Sequence, residues 1–588
     1  MAKNNSSQMK DIMNHDHKEH NQGVSGSKSE PGKKDLIDLN TDTAHGSNQK
    51  PSDKVTEEER GKEREEERKE KRVEKGTSCC SLFQLKKVYG DHIPQSPLAF
   101  SRTHNVLIDV NAFKETKRIK SQEGRHFWNN HFVKLPCWPE SVMSVNKFLG
   151  GATHTRRWDV ICKQLENLSK SSKVSVDDVE KAIKMYNPKY KEQWSFDVLQ
   201  SFVKSVNPME NYYPSLLPKI AKLASKLPHY VKKAIPLLKK GQTSSLTLSQ
   251  GQIACLLANA FFCTFPHRNS SQAQAEYGNY PTINFNSLFG SRPDRKREKL
   301  RAILHYFKVV TDDIKKPNGL VTFERRCLTQ EPMWRSSEKR LTQLHVSSEG
   351  SIEVQGNGML QVDFACSLIG GGVLGAGLVQ EEILFLMNPE LIVTRLFAEK
   401  LSDQECLIIT GSQQFSSYRG YSDDFEWTGP FEDQTKRDSW GRLHRQILAI
   451  DAQHFRHQTQ QYHMSSVTRE LNKAYCGFQR DANTPSRDVP DIATGKWGCG
   501  AFNGDPKLKA LIQLMAAAET ERGLAFFTFK DSEMARELQD VYHLLVTQGT
   551  TVGKLYDTLQ NYCEVCRHKP LDVFQFVKNT LSDKKSLL

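Results

Sequence analysis

Two adjacent carboxylates, Glu381 and Glu382, stand directly after a run in which five of the eight positions from Gly370 to Gly377 are glycine. Carboxyl groups do acid/base work in glycoside hydrolysis: one acid protonates the leaving oxygen as the sugar becomes an oxocarbenium ion, and a carboxylate then activates water. Consecutive residues face opposite sides of a strand, or lie about 100° apart on a helix, so the two acids cannot easily share one role. One can serve catalysis while the other positions substrate. A glycine loop whose amides point inward can seat a phosphate or diphosphate, because the ligand reaches the main chain. The triphosphate pattern GxxxxGK[ST] does not occur in "GGGVLGAGLVQ", so that reading fails. On composition alone a ligand-free turn and a pair of solvated glutamates stay open.

The elements that would position these groups follow from spacing. Short β-like runs, "MLQVDFA", "ECLIITG", "RQILAIDA" and "LAFFTF", alternate after about residue 350 with helical stretches, which predicts an α/β layer structure. In "NGDPKLKALIQLMAAAE", Asp505 fits an N-cap and Pro506 the first helical position, with Leu508, Leu511, Ile512 and Met515 as the buried stripe. The preceding "GKWGCGAFNG" is then a strand-to-helix loop, and two glycine loops flank one sheet. From about Leu82 to Pro236 the pattern is helical, with Ser175 and Asp178 as a capping box and Asn187-Pro188 as a stop. Ser249 and Gln252 repeat that box before Ile253, Leu256, Leu257 and Ala260. Residues 1–85 are rich in charged and polar types and nearly empty of aromatics, which predicts disorder, with at best a solvated helix over Thr56–Gly76.

A chain of 588 residues exceeds one ordinary core. Its first twenty residues are too polar for a signal peptide. The longest nearly apolar run, Ile253–Phe265, is interrupted by Asn259 and falls short of the roughly 20 residues that span a bilayer. Thirteen scattered cysteines are expected to be reduced thiols, and Cys563 with Cys566 forms one CxxC where zinc needs about four ligands, so no metal is expected. The net charge of +13 lies wholly beyond residue 80, since residues 1–80 hold 16 basic against 17 acidic groups. A basic body concentrates polyanions, although a solvated basic surface explains the same numbers.

The string "GGGVLGAGLVQEE", preceded by "QVDFA" and followed by "NPELI", resembles the signature of the poly(ADP-ribose) glycohydrolase family. The likeness continues through "LLANAFFCTFP", "YPTINFNSLF", "GLVTFERR", "ECLIITGSQQFSSYRGY", "AIDAQHFR", "RELNKAYCGF", "GCGAF" and "FTFKDSE", over roughly residues 90–570. It implies a macrodomain-type mixed sheet flanked by helices over 237–588, a helical accessory region over 86–236 and a disordered tail over 1–85. It implies hydrolysis of ribose–ribose O-glycosidic bonds of poly(ADP-ribose), with Glu382 as acid/base residue, Glu381 holding ribose hydroxyls and helping to order the site, and Asp363 supporting the loop. Gly370, Gly371 and Gly372 would cradle the diphosphate and Gln380 would contact substrate. Tyr421 and Phe529 would flank adenosine, Ile352 and Glu353 would form an adenine-side edge, and Phe502 would lie near the distal ribose. Two positions depart from the family pattern: Cys366 replaces an asparagine in "VDFAN", and Lys496 replaces one in "GNWGCGAF". A thiol is a poorer hydrogen-bonding group than an amide, which predicts looser substrate orientation, while a lysine beside a diphosphate adds a point charge.

The expected partners are poly(ADP-ribose) and proteins carrying it, with no organic cofactor, no membrane contact and no direct nucleic-acid binding, in a monomer of the nucleus or cytoplasm serving the DNA damage response. Two competing readings remain: a macrodomain-type ADP-ribose binding module whose hydrolysis has decayed, and a nucleic-acid-binding scaffold, which the acid pair opposes by repelling a phosphate backbone.

Overall fold

The computed structural model describes residues 79–87, 98, 101–146, 152–207, 211–270, 272–291, 295–480, 489–566 and 571–583. The Thr56–Gly76 helix and most of the expected tail lie outside these residues. The expected end of the tail at 85 falls inside a packed segment: Leu82 and Leu85 are buried against Ile352, Met359 and Phe527. Two leucines three residues apart are too little for composition to detect.

A nine-stranded mixed sheet carries the fold, in the order β1-β4-β5-β8-β11-β7-β12-β13-β6. Its strands are β1 (His104–Val106), β4 (Ser244–Ser249), β5 (Leu320–Cys327), β6 (Leu344–Ser347), β7 (Leu360–Ala365), β8 (Glu405–Thr410), β11 (Gln446–Asp451), β12 (Ile492–Gly495) and β13 (Leu524–Phe527). Two hairpins stand apart from it, β2 (Val142–Asn146) with β3 (Ala152–Arg156), and β9 (Ser416–Arg419) with β10 (Glu426–Pro430). The four strands expected from sequence are present as β7, β8, β11 and β13. Within the region expected to be helical, β1 joins the main sheet and β2–β3 forms a hairpin; both are short and lack the alternation that marks a half-buried strand.

Both faces of the sheet are covered, which is why its central strands read as continuous apolar runs. On β11, Ile447 and Ala449 enter one core while Leu448 and Ile450 enter the other. On β8, Leu407 and Ile409 oppose Cys406 and Ile408 in the same way. Helices Arg157–Lys170, Val176–Tyr186, Tyr213–Ser225, Gln250–Phe261 and Arg297–Val310 supply the first core. Helices Met464–Phe478, Pro506–Glu519, Ser532–Thr547 and Val552–Cys566 supply the second. The caps form as their sequences require: Ser175 with Asp178, Ser249 with Gln252, and Asp505, whose carboxylate accepts the Lys507 and Leu508 amides. Cys563 and Cys566 are buried in the second core. Among the described residues no helix is long and apolar enough to cross a membrane, and no three His, Cys, Asp or Glu side chains gather as a metal site would.

One consequence of topology places the site. Strands β11, β7, β12, β13 and β6 are adjacent and mutually parallel, so their C-terminal ends lie along one edge. The glycine loop follows β7, "GKWGCGAF" follows β12, Phe529 follows β13, and Ile352 with Glu353 follows β6. Segments scattered over nearly two hundred positions therefore meet where parallel sheets bind ligands.

Candidate active site

The helix Gln380–Met387 opens with the three polar residues Gln380, Glu381 and Glu382, and its geometry aims them in three directions. Gln380 turns back to β7, where its Oε1 accepts the Phe364 amide at 2.8 Å. Glu381 turns to the start of the loop and accepts the Gly370 amide at 2.6 Å and the Cys366 amide at 2.8 Å. Glu382 accepts the Gly372 amide at 2.7 Å with one oxygen and the Val379 amide at 2.9 Å with the other. The latter bond is the acid's half of a capping box; valine at the N-cap has no oxygen to supply the other half. Both carboxylates are buried, with 1% and 3% of their surface exposed, at a helix end whose dipole favours negative charge.

The glycines fit around these acids. A Cβ on Gly377 would stand 2.6 Å from Glu382 Oε1, and one on Gly371 would stand 2.8 Å from Glu381 Oε2. Gly370 and Gly371 also take left-handed φ values of 85° and 41°, where a side chain is strained. At Gly375 the nearest atom to an added Cβ is the Gly372 carbonyl at 3.6 Å. The cluster is therefore a close approach between backbone and carboxylates before any ligand is considered.

Three cations that sequence reasoning missed hold the carbonyl edge of the loop. Lys299 donates to the carbonyls of Gly372 (3.1 Å), Val373 (3.2 Å) and Gly375 (2.9 Å), and to that of Gly377. Arg395 donates to Ile369 (3.2 Å) and Gly371 (3.0 Å), and Arg295 to Ala376 (3.3 Å). Burial pushes the Lys299 ammonium down to about 7, opposed by the charge of Glu382, and pushes Arg395 down to about 10, opposed by Glu381 and Glu382. One signal existed: Lys299 lies in phase with the buried Ile303, Tyr306 and Val310 of its helix, a cation in an apolar stripe.

Asp363, on β7, is fully buried, and neither of its oxygens has a hydrogen-bond partner among the described residues. Burial, then the charges of Glu382 and Glu353, raises its pKa well above the ordinary value. Glu381 is raised by burial and by Asp363 and Glu382, against the pull of its two amide donors. Burial and the neighbouring Glu381 raise the Cys366 thiol, keeping it protonated.

Residues 331–536 of this chain match the family model described as poly(ADP-ribose) glycohydrolase, macro domain fold, and residues 205–325 match the model of its helical domain. The chain is 33% identical over 428 residues to poly(ADP-ribose) glycohydrolase 1 of Arabidopsis thaliana, covering 60% of this chain and 75% of that protein. It is 30% identical over 439 residues to probable poly(ADP-ribose) glycohydrolase 2 of the same plant, covering 63% and 82%. Against poly(ADP-ribose) glycohydrolase 1 of Caenorhabditis elegans it is 33% identical over 362 residues, covering 59% and 44%. The chain belongs to the poly(ADP-ribose) glycohydrolase family.

The other residues expected at the site lie at different depths. Tyr421 is 55% exposed and borders the loop, since the next amide, Ser422, donates to the Leu378 carbonyl at 3.1 Å. Its hydroxyl is raised by burial and by the charge of Glu382, against a hydrogen bond that the oxygen accepts from the Gln380 amide. Phe529, 39% exposed at a φ of 52°, lays its ring over Gly495, where an added Cβ would meet it at 2.7 Å. Phe502 is half-buried, edge-on to His454 at 5.6 Å. Ile352 does not offer its side chain: it is 2% exposed and packed among Leu82, Leu85 and Phe527, leaving Glu353 as the polar member of that edge. Lys496 pairs with Asp531 at 3.1 Å, which joins the loops after β12 and β13 and engages the charge expected to serve a diphosphate.

Proposed function

We propose that Glu382 is the acid/base residue with which this chain, a glycoside hydrolase of poly(ADP-ribose), cleaves ribose–ribose O-glycosidic bonds and releases ADP-ribose. Glu382 donates a proton to the leaving ribose oxygen, and its carboxylate then takes a proton from the attacking water. The observation that carries this reading is that Glu382 is fastened to the amide of Gly372, inside the loop read as the diphosphate seat. Seating the diphosphate therefore sets the distance between the acid and the adjoining ribose, which is the positioning that converts binding into rate.

Glu381 is given a different part from the one its neighbour plays. It accepts the Cys366 and Gly370 amides, so it orders the start of the loop while its remaining lone pairs are left for ribose hydroxyls. Asp363, whose proton is held to higher pH by burial and by the charge of Glu382, lessens the repulsion among three neighbouring carboxyl groups.

The test is Glu382→Gln in the full chain, with labelled polymer as substrate and ADP-ribose affinity measured in parallel. The expected result is loss of ADP-ribose release with affinity retained. Equal inertness of wild type and variant, with ADP-ribose still bound, would replace the enzyme with a binding module.

A further inference from the structure

We propose that Lys299 is a positioning residue for substrate: by gathering the carbonyls of Gly372, Val373, Gly375 and Gly377 onto one ammonium, it aims the amide face of that loop at the diphosphate of ADP-ribose. The proposal rests on the reading of the loop as a diphosphate seat. Peptide carbonyl and amide point in opposite directions, so a group that fixes one edge of a short loop also orients the other. The amides of Gly370 and Gly372 are taken by Glu381 and Glu382, and those of Gly371, Val373 and Gly375 by carbonyls within the turn. The amides of Leu374 and Ala376 make no such bond among the described residues, and each shares its peptide with a carbonyl that Lys299 holds, Val373 or Gly375. An ammonium buried without a paired carboxylate is costly, and here its compensation is the carbonyl set itself.

The stoichiometry of the nitrogen makes this arrangement sensitive to protonation. An ammonium has three N–H donors for its four acceptors, and a neutral amine has two. Burial brings Lys299 to about 7; Glu382 opposes that shift, and Lys296, Arg295 and Arg395 add to it. These are the charged groups facing it, from the acid's helix, from the two residues before its own helix, and from Thr394–Phe397. Below that point the clamp is complete, and above it at least one carbonyl is released. The diphosphate keeps its own charge throughout this range, so a change in affinity reports the protein.

The experiment is calorimetric titration of the full chain with ADP-ribose between pH 6 and pH 9, for wild type, Lys299→Met and Lys299→Arg. Wild type is expected to lose about tenfold in affinity across the range, the worth of one charge-assisted hydrogen bond. Lys299→Met is expected to bind at pH 6 as weakly as wild type does at pH 9, with no further decline, and to raise KM for polymer more than it lowers kcat. Lys299→Arg, which stays charged, is expected to keep affinity at pH 9. Wild-type affinity that is flat across the range, or Lys299→Met binding like wild type, overturns the proposal. Should neither variant fold, wild type titrated at pH 8 in two buffers of different ionisation enthalpy decides: proton uptake on binding supports the clamp, and none refutes it. Failure of the wild type to bind ADP-ribose at any pH would instead sink the diphosphate reading of the loop.

Discussion

Replacing Gly377 by alanine tests whether the glycine loop and the acid are one mechanical unit. The new Cβ would lie 2.6 Å from Glu382 Oε1, 2.8 Å from its carboxyl carbon and 2.9 Å from Gly372 Cα, where ordinary contact begins near 3.4 Å. The first contact is therefore short by 0.8 Å, and neither neighbour yields easily. The carboxylate is tied to Gly372 at 2.7 Å and Val379 at 2.9 Å, and Gly372 is held through its carbonyl by Lys299. Overpacking of this kind costs about 1–3 kcal/mol of stability. A displacement approaching 1 Å at a reacting group costs on the order of 10²-fold in rate. Gly375→Ala is the control, because it makes the same chemical change two residues away with nothing closer than 3.6 Å. It shares the roughly 0.4–1 kcal/mol gained by restricting the unfolded chain. We expect Gly377→Ala to lose about 30- to 100-fold in single-turnover release of ADP-ribose, with a lowered Tm, and Gly375→Ala to match wild type in rate with an equal or slightly higher Tm. Gly377→Ala retaining a third or more of the wild-type rate, or both alanines being equally harmful, would refute the steric coupling.

Asp363→Asn keeps the shape of a buried acid and removes its titration. The folded chain holds the Asp363 proton to higher pH than an unfolded chain would, so wild-type stability falls as pH climbs out of the ordinary carboxylate range. The variant should gain Tm over wild type by more at pH 8 than at pH 5, and a gap that does not change with pH would show that Asp363 is charged in the fold. Phe529→Ala removes a ring that is 39% exposed. Stacking on a base is worth about 1–3 kcal/mol, so ADP-ribose affinity should drop by at least fivefold while thermal stability stays within about 0.5 kcal/mol; a large fall in Tm with affinity unchanged would make the ring a structural cover for Gly495.

How far the letters reached depends on where each interaction keeps its chemistry. The acids were legible because the period of a helix separates neighbours by about 100°, and Glu381 and Glu382 do part company, each to its own stretch of loop. Strands β8 and β11 were legible because two covered faces demand apolar residues along their central stretches, Cys406–Ile409 and Ile447–Ile450. By contrast β1, three residues long, carries too little pattern to read. The burial of the Ile352 side chain was not legible, because an apolar residue beside a cleft and one beneath it look alike in sequence, and the core below it is completed by Leu82 and Leu85, more than two hundred and sixty positions earlier. The deepest omission was the cation set under the loop. A lysine in an apolar stripe can be noticed as a misfit, but its natural partner would be sought among aspartates and glutamates. Lys299 is bound instead by carbonyls, a group that nearly every position of every chain possesses. No letter marks such an acceptor, so an interaction of this kind becomes visible only once the backbone has a shape.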